Sequence, residues 1–407
     1  MTEWLPTYCT NVHAGRDLAE TEANLDRFAP RIRELVAGDE HPDAPIGLGL
    51  WLSASAAREL RESGGAKDFR NRLLDRGLRI VTFNGFPFGD FHADVVKHAV
   101  YEPHWADPRR LAYTLDLAEL LVDLLPDDVA EASISTLPIG WRTAFTEGGC
   151  GCSVGMAAAR LVEAARGLRA IEDRTGTCIH LDLEPEPGCV LDTSRDVVDL
   201  FETAFRQSDD VEHRRYLRVC HDVCHAAVMF EPQTAALRNY REHGIEVGKI
   251  QVSSAIEIDF DAIEDHDERD RTLAAYRDFI EPRYLHQTTI RAGDETPRDV
   301  EFFEDLGTAV ELRAEGRIPA GTWRTHFHVP IFTQGMNGWS STRPEIERCL
   351  ASFRGDRPLP TIEVETYAWD VLPNCLYAGD EGLASGIAEE LRWLRGMIRS
   401  LDEGDAR

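Results

Sequence analysis

Lysine is nearly absent from this chain. Of 44 basic residues among 407, only Lys67, Lys97 and Lys249 are lysines, and 72 acidic residues set the formal net charge at -28. Such an acidic surface repels phosphate backbones and anionic headgroups, which argues against nucleic-acid or polybasic membrane-surface binding. Long apolar runs are also missing: no stretch of about 18 apolar residues occurs, and no basic segment followed by an apolar one opens the chain. A cytoplasmic location without membrane insertion is therefore expected. No G-x-G-x-x-G follows an early strand pattern, and no G-x-x-x-x-G-K-[ST] is present, so nothing marks a nucleotide-phosphate cradle. The nine cysteines are scattered and odd in number, and reduced thiols are expected. Cys150-Gly-Cys152 is too tightly spaced for a zinc knuckle, and Cys220-x3-Cys224 lacks a second pair.

What the chain does have is a core-forming composition, 43% hydrophobic and 29% charged, and a cadence of alternating elements. Strand patterns run over Thr7–His13, Ile46–Ser53, Arg79–Phe86, Ala132–Ile139, Cys178–Pro185, Tyr216–Asp222, Gly248–Ser253 and Thr361–Tyr367. Helical periodicity lies between them, at Leu18–Ala37, Ala56–Arg76, Pro108–Leu125, Met156–Arg174 and Arg195–Phe205. Eight strands alternating with helices predict an α/β fold of the (β/α)8 TIM-barrel type, with a doubly wound open sheet as the alternative. Residues 1–407 read as one domain. The long interval between strands seven and eight predicts an elaborated, β-containing insert over 254–340, in which Tyr284–Arg291 and Trp323–Phe332 form a hairpin or extra strands. Asp259–Arg271 reads as a solvated loop or helix, and a C-terminal helix is expected over 381–402.

In such a barrel the active residues come from strand C-termini and the loops beyond them. Strands one, three and four end in groups able to bind a polar ligand: Asn11, His13, Asn84 and Thr136. Turn chemistry explains each of these equally well. In strand five, period-two alternation puts His180, Asp182 and Glu184 on one face and Ile179, Leu181 and Leu183 on the other. Inward acids on an apolar strand are costly unless paired or bound to a cation. Strand six ends in His221, Asp222 and His225, a cluster suited to a divalent ion or a hydroxylated ligand. Strand seven turns Lys249 and Gln251 to one face, and strand eight does the same with Glu363 and Glu365. In the insert, His326 and His328 share one face of a β run, with His286 in the companion run. His41, His92, His98, His104, His213, His243 and His266 lack such company and read as surface or structural.

At these residues the sequence resembles the xylose-isomerase-like, or sugar phosphate isomerase/epimerase, TIM barrels. The resemblance implies one divalent ion held by Glu184, Asp222 and Glu365, with His225 beside Asp222. Gln251 stands where ketose epimerases carry His, so Gln251 or His328 completes the set. More narrowly, SISTLPIGW, LDLEPEPGC, VCHDVCHAAVMFE, GKIQVSSA, HFHVPIF and EVETYAWDVLP resemble the EboE family of metabolite traffic proteins, over nearly the whole chain. That resemblance implies handling or export of a secondary-metabolite precursor, with partners from the same operon that include a UbiA-like prenyltransferase.

The expected activity is a metal-dependent isomerase or epimerase acting on a small hydroxycarbonyl or sugar-like metabolite. In the related epimerases two glutamates move the proton, which assigns Glu184 and Glu365 as the acid/base pair. His225 then orients a substrate oxygen, and Asn11, His13, Asn84, His221, His326 and Lys249 contact substrate. The oxygen-rich donor set favours Mn2+ or Mg2+, with Zn2+ open through histidine. The rivals are a metal-dependent hydrolase, a Schiff-base lyase using Lys249, and a non-catalytic barrel that binds a metabolite or partner.

Overall fold

The computed structural model describes residues 4–38, 43–90, 92–146, 151–205, 213–293, 300–318, 320–336, 338–355, 358–369, 372 and 379–403. Eight parallel strands close into a barrel: β1 (Thr7–Cys9), β2 (Ile46–Trp51), β3 (Leu78–Asn84), β4 (Glu131–Thr136), β5 (Cys178–Leu183), β6 (Leu217–Asp222), β7 (Val247–Val252) and β8 (Thr361–Val364). Each pairs with its sequence neighbours, and β1 closes the ring on β8. This is the expected (β/α)8 barrel. The outward residues of β5, Ile179, Leu181 and Leu183, are fully buried in the core that the barrel shares with its helices.

Two glycines make room inside the barrel. The register between β6 and β7 shifts at Val219/Cys220, so Gly248 is an extra residue between Val247 and Lys249, a bulge that re-aims the side chains beyond it. A Cβ on Gly248 would lie 2.4 Å from an Asp182 oxygen, and one on Gly49 would lie 1.3 Å from Glu363 Oε1. Neither site tolerates a side chain without displacing a buried carboxylate.

The helical stretch read as Ala56–Arg76 is two helices, Ala54–Ser63 and Ala66–Leu74. Gly64 ends the first at φ +67°, a left-handed conformation that glycine adopts without penalty. The C-terminal helix spans Gly379–Glu403. Among the described residues no helix is long and apolar enough to cross a membrane.

Between β7 and β8 the chain builds a six-stranded antiparallel sheet, in the spatial order Val300–Phe303, Thr288–Arg291, Thr322–Thr325, Ile256–Asp259, Trp339–Ser341 and Gly335–Met336. It carries its own core, with Trp323, Tyr276, Phe279 and Phe327 among its members. The two predicted β runs are neighbours in this sheet, Thr325 opposite Thr288. They are not a hairpin, because Val300–Phe303 and a helix over Leu306–Ala314 intervene in sequence. His326 and His328 fall just past the Thr322–Thr325 strand rather than on it. Phe327 enters the insert core while both imidazoles line the cavity at the barrel mouth. Asp259–Arg271 is the end of one strand, a turn and the start of a helix at His266–Tyr276.

Six described cysteines are free and buried: Cys9, Cys178, Cys189, Cys220, Cys224 and Cys349. Cys152 is disulfide-bonded, contrary to the all-thiol expectation. Cys150, Cys375 and His41 lie outside the described residues.

Candidate metal centre

Two layers of the barrel's inward polar side chains bear on the site, besides a buried His180–Asp182 pair whose Nδ1 and Oδ1 lie 2.6 Å apart. In the lower layer, the Lys249 ammonium lies 2.5 Å from Glu363, and neither side chain has any exposure. Asn84 ties this pair to its surroundings. Its Oδ1 accepts from Lys249 Nζ at 2.8 Å, Gln251 Nε2 at 2.8 Å and Ser135 Oγ at 3.1 Å, while its Nδ2 donates to Glu363 Oε1 at 3.2 Å. Burial by itself pushes the Lys249 ammonium down, but the charge and hydrogen bond of Glu363, with smaller contributions from Cys220 and Cys9, together hold the group above its ordinary value. A buried charge with a close counter-charge and hydrogen bonds is the condition under which such a pair persists.

The upper layer, at the strand C-termini, is different. Glu184 follows β5, Asp222 ends β6 and Glu365 follows β8, and ligand oxygens of all three lie within 4.8 Å of one another. All three are buried. Burial, then the charges of Glu365 and Asp222, raises Glu184 well above the carboxylate range, and burial with Asp222 and Glu363 does the same to Glu365. Asp222 is raised by burial too, though nearby His328, the His225 backbone N–H and the Ser253 hydroxyl favour its charge. Those last two groups donate to Asp222 Oδ1 at 2.7 and 2.9 Å. Asn11 Nδ2 donates to Glu365 Oε1 at 2.8 Å. Buried amide oxygens at Asn11 and Gln251 have no hydrogen-bond partner. Three converging carboxylates with uncommitted amide oxygens near by are a donor set that a divalent cation fits, because it removes both the mutual repulsion and the desolvation cost.

Imidazoles crowd the same mouth. His326 Nε2 lies 3.2 Å from His225 Nε2 and 3.1 Å from His328 Nε2. Burial lowers His225 to about 3 and His328 to about 4, and it pushes His326 well below its ordinary value together with the neighbouring rings. All three are therefore neutral near pH 7. The cavity here encloses about 540 Å³ of empty space, part of it open to solvent. Its floor holds Glu184, Glu365, Asn11 and the imidazoles, and Phe86, Val100, Leu285 and Tyr367 form apolar walls. Apolar walls around a few convergent polar groups are the usual make-up of a ligand site.

Of the sequence-derived site residues, Asn11, Glu184, His225, His326, His328 and Glu365 line this cavity. Asp222 joins their carboxylate group. Gln251 keeps a buried side-chain oxygen without a hydrogen-bond partner, its amide nitrogen being committed to Asn84, and it does not line the cavity.

Four residues expected to contact substrate do not line it. Asn84 and Lys249 belong to the paired lower layer. His13 sits in a 3-10 turn after β1, where its ring stacks on Phe28 and meets the Tyr8 hydroxyl at 3.1 Å. His221 points to the helix side of β6, paired with Gln233 Oε1 at 2.7 Å. Thr136 Oγ1 accepts from Trp105 Nε1 at 3.1 Å, which is a packing role. His286 is committed to the His326 carbonyl and Glu281.

Glu186 is the residue that the sequence reading passed over. It lines the cavity, and its Oε1 accepts from the Tyr101 hydroxyl at 2.6 Å and Gln287 Nε2 at 3.0 Å, while Oε2 has no partner. Burial pushes its carboxyl up to about 7. The same alternation that selected His180, Asp182 and Glu184 continues to Glu186 and would have found it. Tyr101 and Gln287 had no signal in sequence.

No protein-family model and no curated protein matches the chain. Among solved structures, a xylose isomerase domain protein from Planctomyces limnophilus aligns over 99% of this chain and 100% of its own, at 11% identity and a TM-score of 0.49. A xylose isomerase-like TIM barrel protein from Mycobacterium smegmatis, in complex with magnesium, aligns over 98% of each chain at 12% identity and a TM-score of 0.48. A D-tagatose 3-epimerase-like protein aligns over 98% of each at 9% identity and a TM-score of 0.47. Similarities of this size assign no function to the chain, which has to be argued from the site itself.

Proposed function

We propose that this protein is a metal-dependent enzyme of isomerase or epimerase type acting on a small hydroxycarbonyl or sugar-like metabolite. The observation that carries the reading is the convergence of buried Glu184, Asp222 and Glu365 from three strand ends, the two glutamates lining a small cavity, with no Lys or Arg ion-paired to any of the three among the described residues. The all-oxygen donor set suits Mn2+ or Mg2+. When bound, the ion supplies positive charge that polarises a carbonyl and its neighbouring hydroxyl.

The chain's own residues do the rest. Glu184 and Glu365 project from different strands, so a carbon held between them presents one face to each carboxyl group. One of the two accepts the proton and the other returns it. Asn11 fixes the orientation of Glu365 through its 2.8 Å hydrogen bond. The protonated, ion-paired Lys249 is unsuited to Schiff-base chemistry, which needs a free amine. On the sequence motifs alone, the proposal extends to EboE-type metabolite handling with a UbiA-like prenyltransferase as partner.

Incubating the Mn2+-loaded protein in D2O with a panel of ketoses and hydroxycarbonyl compounds tests the reading. Deuterium should enter the carbon beside the carbonyl, and Glu184→Gln or Glu365→Gln should slow this by about 10²-fold or more. A metal-loaded protein that exchanges no proton on any member of the panel would leave hydrolysis or metabolite carriage in its place.

A further inference from the structure

The imidazole cluster is not explained by the carboxylate site. Each of its rings has Nδ1 against an acceptor: His225 on the Pro185 carbonyl at 2.9 Å, His326 on Gln287 Oε1 at 2.8 Å and His328 on the Glu365 carbonyl at 2.8 Å. A carbonyl oxygen has no proton to give, so in each neutral ring Nδ1 carries the hydrogen and Nε2 the lone pair. The Gln287 orientation is fixed independently, since its Nε2 faces Glu186 Oε1, the Pro187 carbonyl and the Tyr101 hydroxyl. The contacts of 3.2 and 3.1 Å around His326 Nε2 therefore bring lone pair against lone pair. The Tyr367 hydroxyl lies 3.4 Å from His326 Nε2, but its single hydrogen satisfies one lone pair and does not separate three converging ones; a cation, either a shared proton or a metal ion, does.

A metal ion fits better. Two imidazole nitrogens bound to one tetrahedral zinc at 2.0–2.1 Å lie about 3.3 Å apart, close to the spacing found here. Ligand atoms of Glu186, His225 and His326 lie within 4.8 Å of one another, and Glu186 keeps a buried oxygen without a partner. Each imidazole is also oriented from behind by a carbonyl, the arrangement usual for metal-bound histidine.

We propose that His225, His326 and Glu186 hold a second divalent ion, of the imidazole-binding class to which zinc belongs, beside the ion of the carboxylate cluster. The two sites share none of these ligands. His328 stands between them, its Nε2 beside His326 and its ligand atoms grouped with Asp222 and His225. The centre is then dinuclear, and His225 is a ligand rather than a group that orients substrate.

Zinc content of chelator-stripped, reloaded full-length protein, measured by plasma mass spectrometry, tests this. Wild type should hold two equivalents, and Glu184→Gln, His326→Ala and Glu186→Gln one each. Loaded with Co2+, Glu184→Gln should keep the visible bands of an imidazole-bound ion, and His326→Ala should lose them. The proposal is overturned if His326→Ala and Glu186→Gln, folded by circular dichroism, hold as much zinc as wild type. It is equally overturned if X-ray absorption of zinc-treated Glu184→Gln shows no bound ion, or one with oxygen ligands only, which would leave a shared proton among the imidazoles. A Glu184→Gln protein that keeps the wild-type zinc count would instead remove the carboxylate site and leave the imidazole site standing.

Discussion

Two layers of inward carboxylates in the barrel differ in whether a cation is built in. In the lower one, Glu363 has Lys249 at 2.5 Å and Asn84 to bridge them. In the upper one, Glu184, Asp222 and Glu365 face one another and imidazoles that burial keeps neutral. Both look alike as strand patterns. The lower layer is complete in itself and reads as architecture, whereas the upper one leaves its carboxylates without a paired Lys or Arg among the described residues, the arrangement in which a binding site differs from a structural pair.

The largest test breaks the lower layer. Lys249→Met should cost about 3–5 kcal/mol in denaturant unfolding, because Glu363 is left buried and unpaired. Adding Glu363→Gln to it should recover part of that loss, since the two positions are directly coupled; no recovery would mean that the pair is not the source of the cost.

A smaller effect belongs to the upper layer. Mn2+ at about 100 times its dissociation constant should stabilise wild type by about 2.7 kcal/mol, read as a rise in melting temperature over the chelated protein. Glu184→Gln should lose that rise yet melt higher than wild type in chelator, since one of three like charges is gone. Equal metal-induced shifts in both proteins would erase the distinction between the layers.

The smallest effect comes from Glu390, a buried carboxylate in neither layer, with Thr366 Oγ1 donating to it at 2.6 Å and the Ile331 N–H at 3.1 Å. Burial pushes it up to about 8 from an ordinary 4.5. The folded value exceeds the unfolded one, so its stabilisation is complete below about pH 4.5 and is lost as pH rises through about 8. Glu390→Gln keeps the acceptor oxygen and should flatten the melting temperature against pH over that window, with little change at its acid end. An unchanged slope would trace the pH dependence to the metal-free upper layer instead.

Much of this was legible in sequence. Period-two alternation located the eight barrel strands and turned Glu184, Glu365 and Glu363 inward. Applied strictly, alternation also sends His221 to the face opposite Asp222, where the structure places it; its proximity to His225 in sequence suggested otherwise. His13 was misjudged because the chain leaves β1 at Cys9 and coils into a 3-10 turn, which strand periodicity does not describe. The break at Gly64 and Gly65 was signalled by the glycine pair, although helical periodicity ran through it.

By itself, then, the sequence determined the barrel, the direction in which each acid faces, and the donor types at the strand ends, because these follow from local periodicity. Only the tertiary structure decided which acids have a cation within reach, since pairing depends on distance across the barrel. Lys249 meets Asn84 from 165 residues away, and His326 meets His225 across 101. That second approach depends on an insert whose own core fixes Phe327, and with it the flanking imidazoles, at the barrel mouth.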